Sequence, residues 1–378
     1  MSFSRYNRFL QGMLLGACGF LFPGCAHAPF YPVGLWGVTT TNHLDTARLG
    51  GFNAVVGGPS ADYLKHAAQL DLKVLAYPGT QAGEHFSAAT VRQNVRQFDS
   101  SPALWAWYIC DEPDLNGVSP TDVRNAHRFL KSAGAKKSTA IALSYGSDAA
   151  AYGDIANLTM LDRYPIGWAP LATFNQHLQM ARLSVGPEKP LIAIIQAFDW
   201  TGYPLMTDKS KKRPPNAAEI KCMTYCALLQ RATGIFYYTL QDNTWNIENH
   251  PDTWKALTNT VAEINSRLPL FQAKHLWWPI EIEYTDAAFS RNEVFQSAVG
   301  TALVRVSKGN EEVSAGDYFV AVNTTANKLG FSIHAPKQLP EFFGALGEPR
   351  AITSKGGWIH DKFEPYAVHV YGPLPPQF

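Results

Sequence analysis

The sequence predicts a (β/α)8 TIM barrel followed by a C-terminal antiparallel β-sandwich. Eight short apolar runs rich in Val, Ile, Tyr and Trp alternate with helical patterns from residue 31 onward. No glycine-rich phosphate turn follows any of these runs, which disfavours the alternative, a doubly wound open sheet. Helical periodicity ends after Phe271, and alternating runs separated by Gly, Asn and Pro begin there.

Each of the eight runs is expected to form one barrel strand. They are YPVGLWGV (31–38), FNAVVGG (52–58), LKVLAYPG (72–79), LWAWYICDEP (104–113), STAIALSYG (138–146), NLTMLDRYP (157–165), PLIAIIQAF (190–198) and GIFYYTLQ (234–241). The intervening segments carry helix-start signals. Ser119 and Pro120 fit the N-cap and N1 positions, and Asn216 with Glu219 fits a capping box.

The second domain is expected over residues 273–378, after a barrel over residues 29–272. The runs WPIEIEYT, TALVRVSK, DYFVAVNTT, LGFSIHA and AVHVYGP alternate apolar and polar residues, as strands with one buried face do. No low-complexity linker separates the two regions. We therefore expect the sandwich to pack firmly against the barrel.

The first 28 residues predict an export signal. A positively charged start precedes an apolar stretch over residues 9–22, and an A-x-A cleavage site follows at residues 26–28. The segments LGAC, ending at Cys18, and FPGC, ending at Cys25, resemble bacterial lipoboxes. Simple cleavage predicts a secreted or periplasmic protein, and lipidation predicts a membrane-tethered one, such as an outer-membrane lipoprotein.

Composition argues against several classes of partner. The formal net charge is +1 and no long Lys/Arg run is present, so nucleic acid is not an expected partner. No P-loop and no Cys/His metal spacing occurs, so neither a nucleotide cofactor nor a metal is expected. The oligomeric state is not predicted.

The fourth run lies within ALWAWYICDEPD (103–114), in which an aromatic strand ends in three acids. In a (β/α)8 barrel the C-terminal ends of the strands form the functional face. If Glu112 points over the barrel axis, alternation places Tyr108 and Cys110 inside the barrel and Trp105 and Trp107 against the helices. An acid surrounded by aromatic walls is desolvated, which raises its pKa and suits a general acid.

WYICDEP resembles the Asn-Glu-Pro element of the clan-A (β/α)8 glycoside hydrolases, with Asp111 in place of Asn. The segments DRYP and IIQAF resemble parts of secreted bacterial barrel proteins of this kind, and FEPYAVHVYG resembles the accessory β-domain of glycosidases. The resemblance covers most of the chain beyond its signal. It implies cleavage of O-glycosidic bonds in an oligo- or polysaccharide, with Glu112 as acid/base and Asp111 as a substrate-binding or supporting carboxylate.

Strand seven departs from the clan-A pattern, because Gln196 stands where those enzymes place a nucleophilic glutamate. Another carboxylate could supply the second role: Asp162 is preferred, ahead of Asp242 and Asp199. The enzyme could instead be inverting, with carboxyls roughly 6.5–9.5 Å apart against about 5–5.5 Å for retention. A third account is a carbohydrate-binding barrel that cleaves nothing.

Aromatic and polar side chains at the proposed strand ends favour a carbohydrate ligand, because sugar-binding pockets combine apolar walls with a few placed polar groups. The expected substrate-binding residues are Asp111, Tyr164, Gln196, Trp200, Gln241, Asp242 and Trp36. Structural roles stay open for some of these positions and for Asp162. Asp162 could pair with Arg163, Gln196 could satisfy loop backbone, and Asp242 could cap a loop. A scaffold whose sandwich docks a partner protein is the alternative outside carbohydrate chemistry.

Overall fold

The computed structural model describes residues 30–83, 85–203, 212–242, 244–277, 281–284, 298–334 and 339–374. The predicted export signal, with Cys18 and Cys25, lies outside the described residues. Among the residues that are described, no helix is both long and apolar enough to cross a bilayer.

Eight parallel strands close into a barrel in which each strand pairs with the next and the eighth pairs with the first. The strands are β1 (Val33–Leu35), β2 (Ala54–Gly57), β3 (Lys73–Ala76), β4 (Leu104–Cys110), β5 (Ser138–Leu143), β6 (Leu158–Asp162), β7 (Leu191–Gln196) and β8 (Gly234–Tyr238). All eight coincide with the apolar runs. The predicted (β/α)8 barrel is therefore confirmed.

The helices lie between the strands and cover the barrel. They are α1 (Thr41–Leu49), α2 (Ala61–Gln69), α3 (Ala88–Phe98), α4 (Pro120–Ser132), α5 (Ala149–Tyr152), α6 (Ala172–Val185), α7 (Ala217–Leu229), α8 (Pro251–Ser266) and α9 (Leu268–Phe271). The Ser119 hydroxyl accepts the N–H of Asp122 at 3.2 Å, and Asn216 with Glu219 forms a complete capping box. Both predicted helix starts are confirmed.

A two-stranded hairpin of β9 (Gln241–Asp242) and β10 (Trp245–Asn246) follows β8 at the C-terminal end of the barrel. The remaining strands form one curled antiparallel sheet in the order β11-β13-β14-β19-β16-β17-β18-β15-β12. They are β11 (Lys274–Leu276), β12 (Glu281–Tyr284), β13 (Val299–Val306), β14 (Gly316–Asn323), β15 (Leu329–His334), β16 (Phe342–Ala345), β17 (Glu348–Lys355), β18 (Trp358–Phe363) and β19 (Val368–Leu374). The expected C-terminal β domain is confirmed.

The curled sheet packs on both of its faces. Its inner faces enclose an apolar core that includes Phe319, Phe331 and Tyr371. Its other face continues the barrel core, where Val304 and Val320 belong to the same buried cluster as helix α7. Residues Tyr31–Phe378 form one compact unit, so the domain boundary at residues 272/273 stays a prediction.

Strand β4 departs from simple alternation at two points. Its register against β3 shifts near Trp105, and its register against β5 shifts between Tyr108 and Cys110. Tyr108 lies inside the barrel and Trp107 faces the helices, as predicted. The positions predicted for Cys110 and Trp105 are wrong: Cys110 packs in the helix layer, and Trp105 packs against the barrel interior. Each bulge inserts one residue and reverses the parity of the strand.

Candidate active site

Glu112 stands just beyond β4, at the mouth of the barrel. Its backbone φ is +41°, in the left-handed region that a non-glycine residue rarely adopts. Its N–H donates to the carbonyl of Ala142 on β5 at 3.1 Å, and its carbonyl accepts from Leu115 and Asn116 at 3.1 and 2.8 Å. The backbone is thus fixed on both sides, and a strained conformation of this kind is often retained at functional sites.

The carboxyl of Glu112 lies in a crowded acidic environment. Burial, followed by the charges of Asp111 and Asp114, raises its pKa to about 7, while hydrogen bonds with Asp162 and Ser144 act in the opposite direction. A carboxyl with a pKa near 7 is protonated in a large fraction of molecules at neutral pH. It can therefore donate a proton, as a general acid must.

Asp162 ends β6 and shares a hydrogen bond with Glu112. Burial, with the charge of Glu112 next in importance, holds the pKa of Asp162 well above its ordinary value. The Tyr164 hydroxyl donates to Oδ2 at 3.4 Å, and Oδ1 is buried without a hydrogen-bond partner. A hydrogen bond between two carboxyls needs a proton on one of them, so the pair is expected to share one.

The Glu112–Asp162 contact bears on the predicted catalytic spacing. A pair that shares a hydrogen bond differs from the separated carboxyls of glycosidases, which lie roughly 5–5.5 Å apart in retaining enzymes and ~6.5–9.5 Å apart in inverting ones. The alternative of an ion pair with Arg163 is not found, because in the described part of the chain Arg163 forms no salt bridge with Asp162. Asp162 is thus placed to hold a proton beside Glu112.

Two further acids surround Glu112 and have different partners. The Tyr108 hydroxyl donates to Asp111, whose own N–H donates to Gln81 Oε1 at 2.8 Å, and burial raises the pKa of Asp111. Asp114 accepts the backbone N–H groups of residues 144 and 145 at 2.9 and 2.8 Å. Asp111 therefore stays near the proton-sharing pair, and Asp114 ties the β4–α4 loop to the end of β5.

Gln196 is fully buried at the end of β7. Its Oε1 accepts the N–H of Ile166 at 2.8 Å, and its Nε2 donates to the carbonyls of Ile166 and Phe198 at 3.2 and 3.1 Å. The predicted sugar contact by Gln196 is therefore not supported, since the amide is occupied by loop backbone. This is the structural alternative that the sequence left open.

Asp242 lies on β9, directly after the strand opposite β4 in the barrel order. Its Oδ2 accepts from the hydroxyls of Tyr203 and Tyr238 at 2.5 and 2.7 Å. Burial and then Asp242 raise the pKa of Tyr203, and Glu112 adds to that rise. Asp242 and Glu112 therefore both raise the pKa of Tyr203. Gln241 is exposed beside Asp242.

Aromatic rings form the wall of the mouth. Trp36 packs edge-on against Tyr108 at 5.3 Å between ring centroids, and Tyr164 stacks on Tyr238 at 5.4 Å. The Trp200 indole N–H donates to the carbonyl of Ile166 at 2.7 Å, so this ring is held in place although it is half-buried. The structure thus brings Trp36, Tyr164 and Trp200 to one face.

Several residues of the site were missed in the sequence. Tyr238 ends β8 and could have been found from its strand-end position. Tyr203, Ser144 and Gln81 gave no local signal, because their roles depend on contacts with residues far away in the chain.

A cavity of about 620 Å³ opens beside the acids. Its lining includes Tyr77, Thr80, Gln81, His85 and Asn116. Gln81 and Asn116 also bond the backbone of the residue that precedes Glu112, so the cavity adjoins the proton-sharing pair. Its volume falls within the roughly 300–1,000 Å³ of small-molecule sites. Among the described residues, no group of three His, Cys, Asp or Glu side chains is arranged to hold a metal ion.

Solved structures show the same architecture. A glycoside hydrolase superposes with a TM-score of 0.60 at 10% identity, over 93% of this chain and 94% of its own. A family 5 glycoside hydrolase from Bacteroides vulgatus gives 0.57 at 11% identity, over 92% and 93%. The α-amylase of Geobacillus thermoleovorans, complexed with acarbose, gives 0.52 at 10% identity, over 92% and 99%.

No protein-family model and no curated protein matches the sequence. The identities of 10–11% to solved structures therefore establish a likeness of fold. The chain has the architecture of these proteins, an eight-stranded parallel barrel followed by an antiparallel β domain. The fold that the clan-A resemblance implied is confirmed.

Proposed function

We propose that this protein is a glycoside hydrolase that acts on an oligo- or polysaccharide, with Glu112 as the general acid. The observation that carries the proposal is the Glu112 carboxyl itself. It lies at the C-terminal end of a barrel strand, its pKa is raised to about 7, and a second carboxyl shares its hydrogen bond. A protonated acid in an aromatic-walled mouth is suited to protonating a glycosidic oxygen as the bond breaks.

Asp162 supports that proton transfer in our proposal. Burial and then the charge of Glu112 hold the pKa of Asp162 well above its ordinary value, so Asp162 retains a proton and can donate it in a hydrogen bond to Glu112. The sequence favoured Asp162 as the nucleophile or water-activating residue. Because Asp162 interacts with Glu112 through a side-chain hydrogen bond, we assign it a proton-sharing role instead.

Asp242 is the better placed candidate for the second catalytic carboxylate. It follows β8, the strand opposite β4 in the barrel, and two tyrosine hydroxyls donate to one of its oxygens. Both hydroxyls fix the position of this oxygen, as a nucleophile or a general base must be fixed. Asp199 is a weaker candidate, because its Oδ1 accepts the N–H of Thr201 at 2.8 Å within its own loop.

The proposal is tested by release of reducing sugar from a library of oligo- and polysaccharides. Glu112→Gln should lower kcat by at least about 10²-fold on any glycan that the wild type cleaves. Asp154→Asn, a change at an exposed surface ion pair, is the matched control and should keep full activity. An unchanged rate in the Glu112→Gln variant, with the same fold, would refute the assignment.

Product stereochemistry identifies the role of the second carboxylate. Asp242→Asn should abolish turnover. If Asp242 is the nucleophile or base, added azide should restore turnover and give a glycosyl azide as the product. Asp162→Asn should move the alkaline limb of the pH–rate profile to higher pH, because an amide is a weaker hydrogen-bond donor than the Asp162 carboxyl, whose bond lowers the pKa of Glu112. Full activity of Asp242→Asn with complete loss in Asp162→Asn would return the catalytic role to Asp162.

A carbohydrate-binding barrel without hydrolysis is the second candidate function. Gln196 favours it, because the strand-seven position of the clan-A nucleophile is occupied by a buried amide. Calorimetric binding of a glycan that is never cleaved, even at high protein concentration, would establish this alternative. The cluster of acids at the barrel mouth argues against the remaining hypothesis, a scaffold whose sandwich docks a partner protein.

We also propose that the protein is exported. The charged start, apolar stretch and lipobox-like segments of residues 1–28 support this proposal. Fractionation of cells that express Cys18→Ala and Cys25→Ala variants tests it. Loss of the protein from the membrane fraction in either variant identifies the lipidated cysteine, and an unprocessed chain in the cytoplasm would contradict export.

A further inference from the structure

An arginine at the barrel mouth is held against two aromatic rings. The guanidinium carbon of Arg163 lies 4.6 Å from the ring centroid of Trp168 and 5.3 Å from that of Tyr145. Stacking of this kind attracts the cation and fixes the plane of its donor groups. The orientation of the guanidinium is therefore set before any ligand arrives.

This arginine forms no ion pair within the described part of the chain. None of those residues forms a salt bridge with Arg163 or accepts a hydrogen bond from it, and its Nε is buried without a partner. Arginine in proteins normally satisfies its fork with carboxylates or carbonyls. A guanidinium that is oriented by two rings and has no carboxylate partner among the described residues indicates a place for an anionic group.

The two rings are themselves fixed yet accessible. Trp168 is 49% exposed and Tyr145 is 37% exposed. The Trp168 indole N–H donates to the carbonyl of Tyr164 at 2.5 Å, and the Tyr145 backbone N–H donates to Asp114 at 2.8 Å. Exposed aromatic surface that is held rigid offers apolar contact to a sugar ring.

A neutral histidine completes this group. His177 Nδ1 accepts the N–H of Gly146 at 3.0 Å, so the ring proton is on Nε2. Burial, with the charge of Arg163, lowers the pKa of His177, and its ring lies 5.9 Å from that of Tyr145. His177 therefore adds no positive charge at neutral pH, and Arg163 is the cation of this group.

The group adjoins the proton-sharing pair. Arg163 directly follows Asp162, and Tyr145 directly follows Ser144, and both of those preceding residues bond Glu112. Consecutive Cα atoms are about 3.8 Å apart. Arg163 and Tyr145 are thus one residue step from the contacts of Glu112, which suits the sugar unit next to the scissile bond.

We propose that Arg163, Tyr145 and Trp168 form a subsite for a carboxylate-bearing sugar, so that the substrate is a saccharide that contains uronic acid. The guanidinium fork matches a planar carboxylate with two parallel hydrogen bonds, and the rings supply the apolar contact. This inference rests on the proposed glycosidase function for the identity of the reaction. Binding to the subsite does not itself require cleavage.

Calorimetry on the Glu112→Gln variant, in which cleavage is blocked, tests the subsite. The probes are trimers of galacturonate, glucuronate, mannuronate and guluronate, each compared with its carboxyl-reduced counterpart. At least one uronate trimer should bind about tenfold more tightly than its reduced form, since a bidentate charged pair is lost on reduction. The preference should weaken as salt is added.

Substitutions assign the preference to Arg163. Arg163→Gln should abolish it, and Arg163→Lys should keep only part of it because lysine lacks the fork. Arg92→Gln is the matched control, because Arg92 stacks on Phe129 at 5.3 Å in the helix layer and should not affect binding. If Arg163 has only a structural role, its replacement will lower Tm and leave the preference intact.

The outcomes separate this inference from the proposed function. Equal binding of the uronate and reduced trimers, no uronate binding, or a preference that survives Arg163→Gln would overturn the subsite. If the wild type cleaves a neutral glycan in that case, the glycosidase assignment remains. Uronate binding that depends on Arg163, with no cleavage of any library member by the wild type, would support the subsite and refute the hydrolase.

Discussion

At the residue scale, the site depends on one proton shared by Glu112 and Asp162. Burial raises the pKa of both carboxyls, the charge of Glu112 raises that of Asp162, and the hydrogen bond with Asp162 lowers that of Glu112. Two adjacent buried carboxyls cannot both ionise cheaply, so one proton is retained at a pH where an isolated acid would have lost it. The raised pKa thus follows from position and neighbours.

This retained proton predicts a pH-dependent change in stability. The pKa of Glu112 is raised from 4.5 to about 7 on folding, so its contribution to stability is present below 4.5 and is lost as pH rises through 7. Glu112→Gln removes the buried charge. It should raise the free energy of unfolding by about 1–3 kcal/mol at pH 8 and change it little at pH 5. Urea denaturation at the two pH values measures the difference.

The control for that experiment is Glu364→Gln, at a surface pair in which both side chains are well exposed. It should change the free energy of unfolding by less than ~0.5 kcal/mol at both pH values. Destabilisation of Glu112→Gln at pH 8 would mean that Glu112 makes a favourable charged contact. The description of Glu112 as a buried acid would then be wrong.

At the element scale, strands β4 and β7 show what sequence reasoning reaches and where it stops. The strands themselves were predictable, because apolar runs and caps are local signals. The two bulges of β4 were not, since a bulge is set by the register of the neighbouring strands. Alternation therefore gave the correct side for Tyr108 and the wrong one for Cys110.

The candidate site was likewise predictable only in part from the sequence. Glu112 and Asp162 were found as acids at strand ends, but their mutual hydrogen bond joins residues 50 positions apart, and no local pattern encodes it. The partners of Asp242 are equally remote, since Tyr203 lies in the loop after β7. Which acid fills which role depends on distances between strands, and these arise only when the barrel closes.

A substitution at the end of strand β7 tests the clan-A resemblance. Gln196→Glu restores the residue type of the clan-A nucleophile, but a carboxylate there would face the carbonyls of Ile166 and Phe198. The variant should lose about 3 kcal/mol or more of unfolding free energy and gain no hydrolysis. Thermal unfolding and product assays measure both quantities.

Gln241→Glu is the matched control for the strand-seven variant, because Gln241 is exposed on β9 and its replacement should leave the unfolding midpoint unchanged. A stable Gln196→Glu protein with new activity would show that the residue reaches the mouth. The assignment of Gln196 to loop backbone would then fail.

At the scale of the whole molecule, the barrel and the curled sheet depend on each other. Ten of the 13 residues of α7 are buried, so this helix is covered by barrel strands on one side and by the sheet on the other. Arg267 joins the two regions through Glu263 at 2.6 Å and Glu312 at 2.7 Å. The absence of a polar linker in the sequence predicted this firm packing.

The shared core predicts that the two regions unfold together. Calorimetry of residues 30–378 should show one transition, with the van't Hoff enthalpy equal to the calorimetric enthalpy. A fragment that ends at residue 272 should aggregate, because it exposes the apolar side of α7. Two separate transitions, or a soluble and active fragment, would mean that the sheet is a dispensable accessory.

The most direct test of the account is a titration of Glu112 by ¹³C NMR in protein labelled at the glutamate carboxyls, with the Glu112→Gln variant used to assign the resonance. We expect an apparent pKa of about 7, which rises when Asp162 is replaced by Asn. A titration midpoint near the ordinary value of about 4.3 would contradict it, since Glu112 would then be ionised at neutral pH and unable to donate a proton.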